Sequence, residues 1–363
     1  MHLTFRWYGS DDPVALADIR QIPAVEGVVT ALYDVPAGTA WSEEAVRRLR
    51  DEVEAAGLSF TTVESIPVSE RIKLGADKRD ADIDAFCQSL EAIGIALGGE
   101  RTPVVCYNFM PVFDWTRTDL SYQLPDGSLA LAYRRGDLAR IEKALAEGGL
   151  PGWMDFHPPD ELRRLLAAYA KIDAEAMWDH LGYFLERVAP VAEATGVKLA
   201  IHPDDPPWPL FGLPRVVTSG EAFQRVTRLV DSPANGVTLC TGSLGANPAE
   251  AARLPDTVRL LGDRIHFMHL RNVHHGTRHD DGTCDFQESA HPTGDVDLAA
   301  VVRARAEIDF CGPARPDHGR MIWGEVEPDG TTRSGVRPGY GLYDRALGAA
   351  YLRGLWDNAA VTS

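Results

Sequence analysis

The chain has 363 residues, with 36 basic against 53 acidic side chains and a net charge of −17. So negative a protein is poorly suited to a phosphate backbone, which argues against nucleic-acid binding. The five cysteines are odd in number and show no framework, so they read as reduced thiols, not disulfides.

The amino terminus has no basic region followed by an apolar one, and no apolar stretch approaches the length of a membrane span. A cytoplasmic protein without membrane contact is expected. Residues 3–8 form a first strand by alternation, and the Val-rich 27–33 a second. Ser42 is an N-cap candidate for a helix that Gly57 stops, and residues 58–64 are a third strand. Residues 80–97 read as helix and 103–107 as the fourth strand. An oversized segment, 108–196, follows, with helix signals at 137–147 and 160–187. It reads as an elaborated loop and helices covering a barrel mouth, inside one domain spanning 1–363.

Four short apolar runs then end in ligand-type side chains: 197–202 in His202, 237–240 in Cys240, 264–269 in His269 and 312–317 in Asp317. Residues 321–323 are as apolar as the last run, but 312–317 leaves the shorter connection from the preceding helix. A final helix covers 342–355. Eight strands alternating with helices predict an α/β fold, a (β/α)8 TIM barrel with an enlarged helical insertion after strand 4. Ligands at the ends of successive parallel strands meet at the carboxyl-terminal rim of such a barrel. Two imidazoles, a thiolate and a carboxylate suit a borderline cation such as Mn, Fe or Zn. Alternation favours His269 over His266, and a turn after Cys240 favours an accessible thiolate over the usual small core residue.

Other segments add chemistry. In 315–320, Asp317, His318 and two arginines stand together: Asp317 as ligand, His318 handling a proton, and an arginine such as Arg320 holding a carboxylate. The stretch after strand four mixes aromatics with Asn108, Asp114 and Arg117, a surface suited to polyol hydroxyls. Arg271 shares a face with His269, and His291 precedes the next helix, so both join the candidate substrate contacts. Asp204 and Asp205 sit in a proline-stiffened turn, at least one of them expected in solvent. His274, His275 and His279 read as exposed loop. Tyr340, between Gly339 and Gly341, reads as an exposed proton donor or substrate clamp on a tight turn.

Several of these runs carry a resemblance. Phe5-Arg-Trp7-Tyr-Gly9, Ile19-Arg-Gln-Ile-Pro23, Val63-Glu-Ser-Ile-Pro67, the long run from Cys106 to Asp119, Arg315-Pro-Asp-His-Gly-Arg320 and Gly339-Tyr-Gly-Leu-Tyr-Asp-Arg345 resemble the signatures of the mannonate dehydratases. The resemblance runs from the first strand to the last helix. It implies metal-dependent dehydration of D-mannonate to 2-keto-3-deoxy-D-gluconate, a step of hexuronate breakdown, in a barrel similar to the xylose-isomerase-like enzymes. It implies Mn2+ or Fe2+ held by His202, Cys240, His269 and Asp317, with His318 and Tyr340 as the catalytic pair. Trp7 enters the candidate substrate contacts on the same footing. One departure is Ser69, where the family usually has His, and residues 333–338 look extended. The alternatives are a sugar isomerase or epimerase of the same barrel type, which usually relies on carboxylate-rich ligation, and a non-catalytic sugar-acid binding protein. A homodimer is expected for an acidic barrel of this kind.

Overall fold

The computed structural model of the chain describes residues 2–146, 157–327 and 335–361. In chain order the strands are β1 (His2–Arg6), β2 (Gly27–Thr30), β3 (Ser59–Glu64), β4 (Val104–Tyr107), β5 (Asp119–Gln123), β6 (Leu129–Tyr133), β7 (Lys198–Ile201), β8 (Asn235–Cys240), β9 (Ile265–Leu270), β10 (Asn272–Arg278), β11 (Cys284–Ser289) and β12 (Pro313–Pro316). The helices are α1 (Leu16–Arg20), α2 (Glu43–Ala55), α3 (Glu70–Lys73), α4 (Arg79–Leu97), α5 (Leu138–Ala146), α6 (Pro159–Tyr169), α7 (Ala174–Ala194), α8 (Gly220–Leu229), α9 (Thr241–Gly245), α10 (Pro248–Leu261), α11 (Leu298–Glu307) and α12 (Tyr343–Val361).

Eight strands close a parallel barrel in the order β1-β12-β9-β8-β7-β4-β3-β2. Every residue of β1, β2, β4, β8, β9 and β12 is buried, as expected of parallel strands covered on both faces. The helices around them follow local rules. Ser42 caps α2 by accepting from the Ala45 N–H, and Val46, Leu49 and Val53 turn inward at helical spacing. Gly57 follows with φ of 75°, a left-handed step that ends the helix at low cost.

Register decides which side chains share a level at the rim. Cys240 pairs with His269 across β8 and β9, and His269 with Arg315 across β9 and β12. Glu64 pairs with Cys106 across β3 and β4, and the His202 N–H donates to the Tyr107 carbonyl at 2.7 Å.

The structure departs from the sequence reading above the barrel. A second, antiparallel sheet runs β10-β11-β6-β5. Residues 108–196 therefore contribute two strands as well as helices, and the histidine-rich stretch expected as exposed loop is the β10–β11 hairpin. The 160–187 signal is two helices, α6 and α7, broken near residues 170–173, where Asp173 caps the second. The end of the 137–147 signal and residues 333–334 of the extended segment lie outside the described residues. The turn expected after Cys240 is the one-turn helix α9, whose Ser243 N–H donates to Cys240 Sγ at 3.4 Å. Among the described residues no helix is long and apolar enough to cross a membrane, and all five cysteines are free.

Candidate active site

A cavity of about 490 Å³ opens at the carboxyl-terminal rim, lined by Asn108, His202, Arg315, Asp317, His318 and Tyr340 among others. His202, Cys240 and His269 each offer a ligand atom within 4.8 Å of the other two. Asp317 stands beside the group: its Oδ2 lies 3.5 Å from Cys240 Sγ and its Oδ1 3.9 Å from His269 Nδ1. Nδ1 of His202 bonds the Pro203 carbonyl at 2.7 Å, which places the proton on Nδ1 and leaves the other nitrogen's lone pair free. His269 Nε2 faces Glu64 Oε2 at 3.3 Å, while its Nδ1 faces Asp317 Oδ1 at 3.9 Å and Arg315 Nη2 at 3.5 Å. Two imidazoles, a thiol and a carboxylate are a donor set that fits a borderline divalent cation.

A second group, Glu64, Cys106 and His269, shares one imidazole with the first. It fits a cation less well. Burial, with Glu64 beside it, pushes the Cys106 thiol well above its ordinary range, and metal binding needs the thiolate. Glu64 is already matched by Arg6 at 2.8 Å and Arg315 at 3.0 Å. Burial opposes its charge, but these guanidiniums hold its carboxyl well below the usual range. Burial likewise works against the charge of Asp317, and Arg315 at 2.8 Å reverses it, with help from the imidazoles and Arg271. Asp317 is therefore ionised, as a ligand must be.

Beside this group stands a hydrogen-bonded pair. His318 Nε2 and the Tyr340 hydroxyl are 2.9 Å apart, and their rings meet edge to face at 4.7 Å between centroids. Tyr340 is half-buried, not exposed, because the glycines on either side fold its backbone onto the rim. Burial, with Tyr8 and Asp317 nearby, pushes its phenol well above the ordinary range, so it carries its proton.

The remaining candidates divide. Asn108 lines the cavity, though its amide is engaged by Asp114 Oδ1 at 2.9 Å. Arg117 and Arg271, expected to hold substrate, are instead locked among carboxylates. Arg117 makes a two-pronged bond to Asp205 at 2.9 and 3.0 Å and reaches Glu288 at 2.8 Å. Arg271 reaches Asp205 at 3.0 Å and Glu288 at 2.9 Å. Arg320 pairs with Asp344 at 2.9 Å and Asp126 at 2.7 Å and lines a different cleft, beside Trp323. Trp7 is 3% exposed in the hydrophobic core. His291 is buried against α12, where Gly348 leaves room for its ring. His266 faces a cleft at the opposite end of the strands, with His2 and Lys198. The solvated turn expected at Asp204 and Asp205 is also absent: both are buried, Asp204 accepting from the Val217 N–H at 2.9 Å.

The sequence reading missed Glu64 and Glu288. Glu64 ends a barrel strand, so the strand-end logic applied to the metal ligands would have found it. Glu288 sits in a stretch whose strand signal is weak.

A closed parallel barrel with three clustered candidate ligands, a carboxylate beside them and a His–Tyr pair at its carboxyl-terminal rim has the anatomy of a barrel enzyme with a metal-binding active site. Comparison with known proteins narrows this. Residues 1–362 match the family model described as D-mannonate dehydratase (UxuA). A mannonate dehydratase of Streptococcus agalactiae serotype III (strain NEM316) is 48% identical over 359 residues, 98% of each chain. The crystal structure of mannonate dehydratase from Streptococcus suis serotype 2 superposes with a TM-score of 0.86 at 45% identity, covering 100% of this chain and 95% of that one. A structure of L-ribulose 3-epimerase, at 14% identity and a TM-score of 0.55 over 99% of this chain and 96% of that one, shares the fold alone. The chain belongs to the D-mannonate dehydratase family, and it is a carbon–oxygen hydro-lyase.

Proposed function

We propose that the protein dehydrates D-mannonate to 2-keto-3-deoxy-D-gluconate, a step of hexuronate breakdown, in the cytoplasm and as a homodimer. We assign a Mn2+ or Fe2+ ion to His202, Cys240, His269 and Asp317. We also read 1–363 as one barrel domain, with 108–196 as part of the cover over its mouth. The observation that carries the reading is the His318–Tyr340 contact of 2.9 Å beside a ligand group whose carboxylate, Asp317, immediately precedes His318.

The reaction removes a proton from the carbon next to a carboxylate and expels a hydroxyl from the carbon beyond it; the resulting enol becomes the ketone. The substrate carboxylate is already anionic, so that proton is weakly acidic. When bound, the cation supplies positive charge next to the carboxylate and its neighbouring hydroxyl, where negative charge builds up. His318 and Tyr340 divide the proton work: one takes the proton from carbon, the other gives one to the departing hydroxyl. Both side chains line the same cavity as His202 and Asp317. Asn108 and the aromatic loop around it offer polar contacts to the polyol chain.

The test is incubation of purified protein with D-mannonate and Mn2+ or Fe2+, followed by a colour assay for 2-keto-3-deoxy acids. Formation of that product is expected. An isomeric sugar acid as the only product, or no turnover with either cation, sinks the reading in favour of an epimerase or a binding protein.

A further inference from the structure

Glu288 lies on β11, outside the barrel, and is 1% exposed. Its Oε1 accepts from Arg117 Nη2 at 2.8 Å and from Arg271 Nη1 at 2.9 Å. Its Oε2 has one neighbour of hydrogen-bonding kind among the described residues, His318 Nδ1 at 3.0 Å; the same nitrogen is 2.8 Å from Oε1. On the other side of the ring, Nε2 faces the Tyr340 hydroxyl at 2.9 Å. Arg271 Nη1 also approaches Nδ1, at 2.7 Å.

Two tautomers compete for this arrangement. With the proton on Nδ1, His318 donates to Glu288, so Oε2 is satisfied. Nε2 then accepts from Tyr340, whose hydroxyl proton has no other acceptor among the described residues. With the proton on Nε2, one N–H of Arg271 gains an acceptor in Nδ1. The buried carboxylate oxygen then loses its donor, and the phenol proton loses its acceptor. Leaving a buried carboxylate oxygen without a donor is the heavier loss, because its solvation is gone and nothing replaces it. The Nδ1–H form therefore prevails.

We propose that Glu288 is the positioning residue of the catalytic pair: it holds the His318 proton on Nδ1 and so presents the Nε2 lone pair to Tyr340 and the cavity. The inference rests on the reading of His318 and Tyr340 as the acid–base pair. A carboxylate behind an imidazole fixes its tautomer and its angle, and it balances the positive charge when the far nitrogen takes a proton. Arg117 and Arg271 acquire a function in turn. Together with Asp205 they clamp Glu288, so that it faces the ring from a rigid, fully paired setting.

Neutron diffraction from deuterium-exchanged crystals of the metal-loaded enzyme reads the tautomer without any substitution. Deuterium on Nδ1 alone is expected, and deuterium on Nε2 overturns the inference. In parallel, Glu288→Gln keeps the shape, but Arg117 and Arg271 draw its carbonyl oxygen to the Oε1 position, so an NH2 donor replaces the Oε2 acceptor beside Nδ1. Its kcat should fall by about 100-fold or more, with KM within about threefold and metal content unchanged. Glu288→Asp, which retains an acceptor, should recover part of the loss. A folded Glu288→Gln enzyme with wild-type kcat overturns the inference. Wild-type kcat in His318→Ala overturns the reading beneath it, so the two failures are separable.

Discussion

At the scale of single residues, the proposed reading separates side chains that bind from side chains that move protons. His318→Ala and Tyr340→Phe should each lower kcat by about 100- to 10,000-fold, the usual worth of a positioned acid or base. Metal content should stay full, because neither side chain belongs to the ligand group. Elemental analysis beside steady-state kinetics checks both halves, and wild-type turnover in either variant removes that residue from the mechanism. Cys240→Ser should do the reverse first: the hard hydroxyl replaces a soft donor, so dialysed protein should retain less than a full equivalent of cation. A full equivalent in that variant moves the site away from Cys240. Ser69, the departure noted in the sequence, lines the same cavity and accepts from the Ile72 N–H at the start of α3. It caps a helix, a task an imidazole does poorly.

At the scale of elements, the weight falls on the small sheet that delivers Glu288. Phe286, two residues earlier on β11, stacks on Tyr133 of β6 at 5.6 Å and meets Trp208 edge-on at 6.2 Å. Phe286→Ala should cost about 3–5 kcal/mol of stability and loosen the carboxylate behind His318. Urea unfolding and kcat together test it; an unchanged midpoint would show that the sheet is not held by this contact. The barrel helices obey simpler rules. Ser219 caps α8 by accepting from the Ala222 N–H at 3.1 Å, so Ser219→Ala should cost about 1 kcal/mol in the same assay. These differences also explain what the sequence made legible. The barrel strands are buried on both faces and bounded by turns, so their apolar runs stand out, and the strand-end residues His202, Cys240, His269 and Asp317 could be read with them. The small sheet escaped because two of its strands are polar where they are exposed: β10 ends in exposed residues and β5 reads Asp-Leu-Ser-Tyr-Gln. Pairing, not pattern, makes these two strands. Arg117 and Arg271 were misjudged for a related reason, since the carboxylates that occupy them come from segments far along the chain.

At the scale of the whole molecule, the two ends of the barrel respond differently to acid. At the amino-terminal end, burial, with Arg101 close by, lowers His2 to about 4, and burial, with Lys198 close by, lowers His266 to about 3. Both are neutral when folded. Above about pH 6.5 neither the folded nor the unfolded chain protonates them, so they cost nothing. As pH falls from about 6.5 towards 4, the unfolded chain takes up protons that the folded chain refuses. Stability then drops by a few kcal/mol in all, up to about 1.4 kcal/mol for each ring as the pH falls by one. At the carboxyl-terminal rim the carboxyls are lowered too, but their window lies in stronger acid. Burial opposes the charge of Glu288 and Asp205, and Arg117, Arg271 and the His318 ring reverse it. The contribution of these carboxylates is present above about pH 4 and lost only below it. Urea midpoints at pH 7 and pH 5 should therefore differ in the wild type, and the difference should shrink in His266→Gln. An undiminished difference in that variant would assign the acid sensitivity elsewhere.

The union of Arg117 with Glu288 spans 171 positions of chain. Neither strand that carries or follows them belongs to the barrel, so the barrel can close before these two meet. Barrel closure also joins remote ends, setting His2 beside Pro313, so loop entropy burdens both events and ranks neither first. A molecule whose vessel is complete while this carboxylate is still astray would have its walls in place and its histidine unaimed. Compactness and catalytic competence are thus separate attainments of the same fold.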